Sequence, residues 1–365
     1  RARTMRRRPT VVLGASGLVG QRMQQRLCNH PWFELKAVGG RHENAGKLLE
    51  QIPWKLEQVR PTLPSVPIFD LSSDSFIKNI LELDIEVAFS CLPSDVAERI
   101  ESKLAQAGIA VFSNASFNRG KEGIPLVIPE INAEHCSAFS TSNGPIMCGT
   151  NCTLIPMAVP LAALRMFEIQ TVRMRSEQAL SGAGWQLLFD EDANKGILDS
   201  EIPGEAEKVA EELLHVFGTQ DGTSVVPAKI ELDIKCQRVA RRDGHQVFVE
   251  TTFTHPISLE SVLQAFTLHQ FPKSVMRCPS APSHPLHIVE HVDVEHHLWS
   301  NGTTFADQPR PSEDLRTGMS ITVGDLKIID KYTLSFSAYS HNTIRGAAGG
   351  TMLLAEQAVV EGHIP

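Results

Sequence analysis

Short, unbroken apolar runs alternate with amphipathic stretches through the first third of the chain. Thr10-Val11-Val12-Leu13, Phe33 to Gly39, Ile85 to Ser90, Ala110-Val111-Phe112 and Leu126 to Pro129 read as strands. Gln21 to Asn29 and Asp95 to Ala107 read as helices between them. Strands that alternate with helices predict a doubly wound parallel sheet. The pattern changes after residue 150. Cys152 to about Arg165 reads as an apolar helix, and Ile169 to Ala179 alternates as a half-buried strand does. Pro203-Gly204 opens a helix that runs to about Phe217, and Leu259 to Thr267 reads as another. Ile230 to Val239, Gln246 to Thr254 and Tyr332 to Tyr339 read as further strands. This order predicts an α/β unit over residues 9–150, completed by 341–365, and an α+β unit over 151–340.

The first strand runs into Gly14-Ala15-Ser16-Gly17-Leu18-Val19-Gly20 and then a helix. Glycines let backbone approach a pyrophosphate, and the helix start supplies amide donors. The spacing is G-x-x-G-x-x-G, so the strand–turn–helix context carries the assignment. The α/β unit is therefore read as a Rossmann-type dinucleotide-binding domain, with Gly14, Ser16, Gly17, Leu18 and Val19 at the cofactor. The second strand ends in Gly40-Arg41-His42. An arginine there suits a ribose 2′-phosphate, which predicts NADP with Arg41 as a contact. Ser90 to Pro93 and Ser113-Asn114 also fall at carboxyl ends of strands, where ligands bind such sheets.

Composition narrows the partners. The 365 residues carry a net charge of -8, which gives no broad basic surface for nucleic acid. The one basic cluster, Arg1, Arg3, Arg6, Arg7 and Arg8, reads as a disordered end. No apolar run follows it, so no secretory signal is expected. The longest apolar stretch, Leu154 to Leu164, is short and contains Pro156 and Pro160, which makes it a core segment rather than a membrane span. Seven scattered cysteines suggest no disulfide framework and fit a reducing cytoplasm.

The candidate chemistry centres on Cys152, within Gly149-Thr150-Asn151-Cys152-Thr153 at the start of the apolar helix. A helix dipole there favours a thiolate. Cys148 is the weaker candidate because no helix start follows it. Arg238 and His245 flank a turn at Arg241 to Gly244. A histidine can move a proton near neutral pH, and an arginine can bind a carboxylate or phosphate in bidentate fashion. Glu205 and Lys208, three apart, share a helix face. Asn342 lies in the glycine-rich start of the closing helix, within reach of a nicotinamide amide. His284, His287, His291, His296 and His297 have no ligand partners at zinc spacing, so they read as a solvated or interface segment and no metal is expected.

Taken together, these motifs resemble the aspartate-β-semialdehyde dehydrogenase family in its archaeal and fungal form. The likeness runs from about Pro9 to Gly362. It rests on Gly14 to Gly20, Ser90 to Ala97, Ser113 to Ser116 with Arg119, Pro125 to Asn132, Asn151-Cys152-Thr153 and Gln178 to Gly184. Ile202 to Glu205, Gly318 to Gly324 and Ser340 to Gly349 complete it. The resemblance implies NADP-dependent reductive dephosphorylation of aspartyl phosphate. Cys152 would be the acyl-accepting nucleophile, His245 the general acid/base, and Gln178 would orient the intermediate. Arg238 would bind the substrate carboxylate and Glu205 its amino group. Asn114, Arg119 and Lys208 would hold phosphate, with Asn151 beside them. Ser90, Leu92, Pro93, Ser181, Gly182 and Asn342 would line the cofactor. It also implies a homodimer or homotetramer joined through the second domain. Departures at Trp185-Gln186-Leu187 and Ala240-Arg241 are expected beside the acyl pocket. They keep open an acyl-CoA reductase, a reductase of another acyl phosphate, or a non-catalytic NADP-binding paralogue.

Overall fold

The computed structural model describes residues 6–138 and 145–364. Its first layer is a six-stranded parallel sheet. The spatial order is Ile68–Asp70, Phe33–Gly40, Arg8–Leu13, Val87–Ser90, Ala110–Ser113 and Ile146–Cys148. Val11, Val12 and Leu13 are fully buried, as strands covered on both faces must be. This is the expected α/β Rossmann-type arrangement.

Three local expectations change. The first helix, Leu18–Leu27, starts inside the glycine motif with extended Gly17 at its N-cap. Leu126 to Pro129 makes only an isolated bridge from Leu126 to Cys148, and Ile146–Cys148 takes the edge of the sheet. The Asn132 side chain explains this. It accepts from the Ile128 amide at 2.9 Å and donates to the Leu126 carbonyl at 2.9 Å. Those are the groups a strand partner would have used, and Pro129 then opens the short helix Pro129–Asn132. Finally, Arg8 opens the first strand and Arg6 pairs with Glu86, so the basic cluster is structured from there on. Arg1 and Arg3 lie outside the described residues.

The second layer is a mixed sheet in the order Glu231–Arg238, Ile169–Gln178, His245–Phe253, Thr333–Ser340, Ile321–Asp330 and Leu286–Ile288. The helix Leu154–Ala163 packs against it, and every one of its residues is buried. That explains its lack of a polar face. The chain then returns to the first layer. Ile344–Ala348 forms a π-type turn, and Gly349–Val360 packs against Leu18–Leu27 and the strand Ala110–Ser113.

Register in the second sheet decides which residues meet. Glu231–Arg238 runs parallel to Ile169–Gln178, pairing Arg238 with Gln178 at their carboxyl ends. His245–Phe253 runs antiparallel to Ile169–Gln178 on its other side, so its first residue arrives at the same end. His245 in turn pairs with Ser340, the last residue of its other neighbour. Four strand ends thus converge on the carboxyl edge of the first sheet.

Candidate active site

A cavity of about 440 Å³ opens between the two layers. Cys152, Gln178 and Arg238 line it, as do Glu205, Lys208, Arg119, Asn114 and Asn151. On the cofactor side its wall includes Val19, Leu92, Pro93, Ser181, Gly182 and Asn342. These sequence-predicted residues therefore share one chamber.

His245 lies beneath that wall and is fully buried. Its Nε2 is 3.2 Å from Cys152 Sγ. The Ala179 amide donates to Nδ1 at 3.1 Å. An accepting Nδ1 places the neutral ring's proton on Nε2, facing the sulfur. Gly182 makes room for this packing: a Cβ there would fall 2.8 Å from Arg238 Nη1 and 3.1 Å from His245 Cε1. Arg238 is held by a 2.6 Å bond from Nη1 to the Ala179 carbonyl.

The expected standing thiolate is not what the geometry favours. The helix begins at Leu154, two residues beyond Cys152. Burial, with Glu205 nearby, pushes the Cys152 thiol up to about 12. Burial, with Arg238 and Arg241, pushes His245 down to about 3. The pair therefore rests as neutral thiol and neutral imidazole at neutral pH. Cys148 is fully buried, and burial raises its thiol further still.

The helix Glu205–Val216 supplies the polar wall. Its start is set by Gly204, which has φ of 71°. Glu205 Oε1 accepts from Asn151 Nδ2 at 2.9 Å. Glu212, one turn past Lys208 on the same face, was not singled out from the sequence. Its Oε1 accepts from Arg119 Nη1 at 3.1 Å and its Oε2 accepts from the Asn151 amide at 2.6 Å. The i, i+3, i+7 spacing of 205, 208 and 212 was the available signal. Arg119 Nη2 also donates to the Asn114 carbonyl at 2.8 Å, while its Nε is buried without a partner among the described residues.

The remaining cofactor candidates form the floor of the first layer. Gly14 has φ of 86°, and a Cβ there would fall 2.6 Å from the Cys91 carbonyl oxygen. Gly17 donates from its amide to the Gly14 carbonyl, closing the turn. Leu18 is buried beside Leu180 and Leu188. Ser90 is buried, and its carbonyl accepts from the Asn114 amide. Arg41 is remote from Cys152 and lines a second cavity at the ends of Phe33–Gly40 and Ile68–Asp70. Asn342 has protein partners of its own: Oδ1 accepts from the Gly244 amide at 2.8 Å and Nδ2 donates to Ser181 Oγ at 2.9 Å.

The unusual residues at 185–187 and 240–241 do not form the wall of the acyl cavity. The Trp185 indole donates instead to the Ser16 carbonyl at 2.9 Å, tying the second unit to the glycine turn. Arg241 pairs with Glu177 at 3.5 Å and lies over the Tyr339 ring. In the histidine-rich segment, His287 and His297 each stack on Phe305 with centroids 4.2 Å apart. No group of three metal-ligating side chains occurs among the described residues.

Comparison with known proteins places this geometry. Residues 10–139 match the model described as semialdehyde dehydrogenase, NAD binding domain. The chain is 34% identical over 360 residues to an aspartate-semialdehyde dehydrogenase of Archaeoglobus fulgidus, covering 96% of this chain and 97% of that one. It is likewise 34% identical over 375 residues to one of Aspergillus fumigatus, covering 97% of each chain. The crystal structure of aspartate semialdehyde dehydrogenase with NADP from Candida albicans matches with a TM-score of 0.79 at 29% identity, covering 98% of this chain and 100% of that one. Similarity sustained along nearly the whole of both chains means that this chain belongs to the aspartate-semialdehyde dehydrogenase family.

Proposed function

We propose that the chain is an NADP-dependent phosphorylating dehydrogenase that interconverts L-aspartyl-4-phosphate and L-aspartate 4-semialdehyde through a thioester on Cys152. The observation that carries this reading is the 3.2 Å approach of Cys152 Sγ to His245 Nε2 in a cavity walled by Arg238, Glu205, Lys208 and Arg119.

The chemistry follows from those groups. Cys152 Sγ attacks the acyl carbon, the C–S bond forms and the bond to phosphate breaks. The thiol proton leaves with the phosphate as HPO₄²⁻, which balances the step. Arg119 and Lys208 bring two positive charges to that phosphate. Arg238 pairs with the substrate carboxylate and Glu205 with its ammonium. The Nε2–H of His245 donates to the oxygen that becomes negative on the tetrahedral carbon. Gln178 fixes the adduct's orientation. The glycine turn, with no room for side chains at residue 14, suits a pyrophosphate. Bound NADP supplies hydride exchange at the acyl carbon. When the C–S bond breaks, its electron pair returns to sulfur, Sγ takes a proton from His245 Nε2–H that solvent replaces, and the aldehyde departs.

The test is an assay of NADP reduction with aspartate semialdehyde and phosphate, beside one with malonate semialdehyde and coenzyme A. Turnover with the first pair is expected. Turnover only with the second pair would replace this substrate with an acyl-CoA, and none with either would favour a non-catalytic paralogue.

We propose further that the enzyme works in the cytoplasm as a homodimer or homotetramer. All seven cysteines are free, which suits a reducing compartment, and no described helix is long and apolar enough to cross a membrane. The second sheet has a face bearing Arg173, Arg175, Asp233, Lys235, Phe248 and Glu250, a mixed-charge surface suited to self-pairing. Light scattering gives the mass in solution, and a monomer would overturn the assembly.

A further inference from the structure

A second cavity, about 420 Å³, lies at the carboxyl ends of Phe33–Gly40 and Ile68–Asp70. That is the adenosine end of a Rossmann sheet. Its wall carries Arg41, His42 and Glu43 after the first of these strands, Asp70 from the second, and Arg99 and Lys103 from the helix Ser94–Gln106. Arg41 and His42 are both exposed, at 78% and 85%, and Arg41 makes only a 3.9 Å approach to Glu43.

His42 is held differently. Its Nδ1 lies 2.6 Å from Asp70 Oδ2. The other carboxylate oxygen, Oδ1, accepts from the Ser72 amide at 2.9 Å and from Ser72 Oγ at 2.6 Å. Asp70 is thus fixed from one side and fixes the imidazole on the other. With Nδ1 turned to Asp70, Nε2 is the ring nitrogen left for a ligand.

We propose that the His42–Asp70 pair sets the choice between NADP and NAD, with His42 Nε2 as a ligand of the ribose 2′-phosphate. The proposal rests on the cofactor reading above. Protonated, the imidazolium offers Nε2–H to the phosphate and cancels the charge of Asp70. Neutral, the ring turns a lone pair toward the phosphate and leaves the Asp70 carboxylate uncompensated. An uncompensated carboxylate at a strand end favours a ribose 2′-hydroxyl instead. Asp70 raises the His42 pKa above its ordinary value, chiefly through their hydrogen bond, with Glu43 acting in the same direction. Asp70 itself is held down to about 2, chiefly by Ser72 and then by His42. The pair therefore keeps its proton to higher pH than an imidazole without Asp70 would. Arg41, Arg99 and Lys103 are the other basic side chains of this wall, and His42 is the one paired with Asp70.

Calorimetric Kd values for NADP and NAD, from about pH 6 to about pH 9, test this without turnover. For the unaltered protein the preference for NADP is expected to fall about tenfold across that range. In His42→Asn the preference at about pH 6 should already be about tenfold lower and should vary much less with pH. Asp70→Asn should move the break to lower pH and weaken NAD at high pH. The 2′-phosphate of the free dinucleotide also titrates near pH 6, identically for every variant, so variants are compared at matched pH. Both side chains lie at the rim of the fold, and unchanged circular dichroism and Tm would show that the variants are intact. If His42→Asn follows the unaltered protein's selectivity profile within about twofold, the proposal is overturned while the cofactor reading stands. If the unaltered protein binds neither dinucleotide, the cofactor reading itself fails.

Discussion

Cys152 and His245 come from segments 93 residues apart, yet their reactive atoms lie 3.2 Å from one another. The Ala179 amide holds the far side of the imidazole, so Nε2–H faces the sulfur. Cys152→Ala is expected to abolish turnover and to leave NADP affinity unchanged by calorimetry. His245→Ala should lower kcat by about 10²–10⁴-fold, the usual cost of losing a proton-transfer group. A normal kcat in either variant would remove the thioester mechanism.

Glu212 holds Arg119 with one carboxylate oxygen and the Asn151 amide with the other. It touches the reacting groups only through these partners, so it is a positioning residue. Glu212→Gln keeps an acceptor for Asn151 but loses the charge that aims Arg119. The KM for phosphate should rise about tenfold, in line with losing a charge-assisted bond of roughly 1.5 kcal/mol, while the KM for semialdehyde changes little. Equal changes in both constants would indicate general disruption instead.

Gly346 lies against the nucleophile. A Cβ at this position would stand 2.7 Å from Cys152 Cβ and 3.2 Å from its Cα. Gly346→Ala must displace one or the other. A stability loss of about 1–3 kcal/mol is expected from overpacking, together with a kcat loss that exceeds any change in KM. Wild-type kcat in this variant would show that the Cys152 loop tolerates movement.

Stability should fall on mild acidification. His245 is held down to about 3, and His341 well below its ordinary value, both chiefly by burial. Because these folded-state values are depressed, the unfolded chain binds more protons below about pH 6.5. Stability is therefore intact above that pH and declines as pH falls toward the folded-state values. At pH 5 His245 costs on the order of 2 kcal/mol, and His341 acts in the same direction. Urea midpoints at pH 7 and pH 5 measure the slope, which should be shallower in His341→Asn. An unchanged slope would mean that other groups govern it.

Much of the site was legible because it is written locally. The strand–glycine–helix motif reads directly, since the turn demands glycine and the flanking elements have their own periodicity. The helix bearing Glu205 and Lys208 also reads directly, because side chains three apart must share a face. Glu212 escaped notice because its partners, Arg119 and Asn151, lie far away in sequence. Leu126 to Pro129 departs from its pattern for a related reason. Its apolar composition suits a strand, but the Asn132 side chain had already satisfied its backbone.

The sequence by itself determined the alternation of strands and helices, the phosphate-suited turn and the inventory of reactive side chains. These depend on neighbours within a few residues. Only the tertiary structure decided that Gln178, Arg238 and His245 meet at one edge, because sheet register is a relation between distant segments. It likewise decided the protonation of the pair. Sequence placed Cys152 at a helix start and suggested a thiolate. The folded site buries His245, half-buries Cys152 and leaves both neutral, because desolvation outweighs a dipole that begins two residues away.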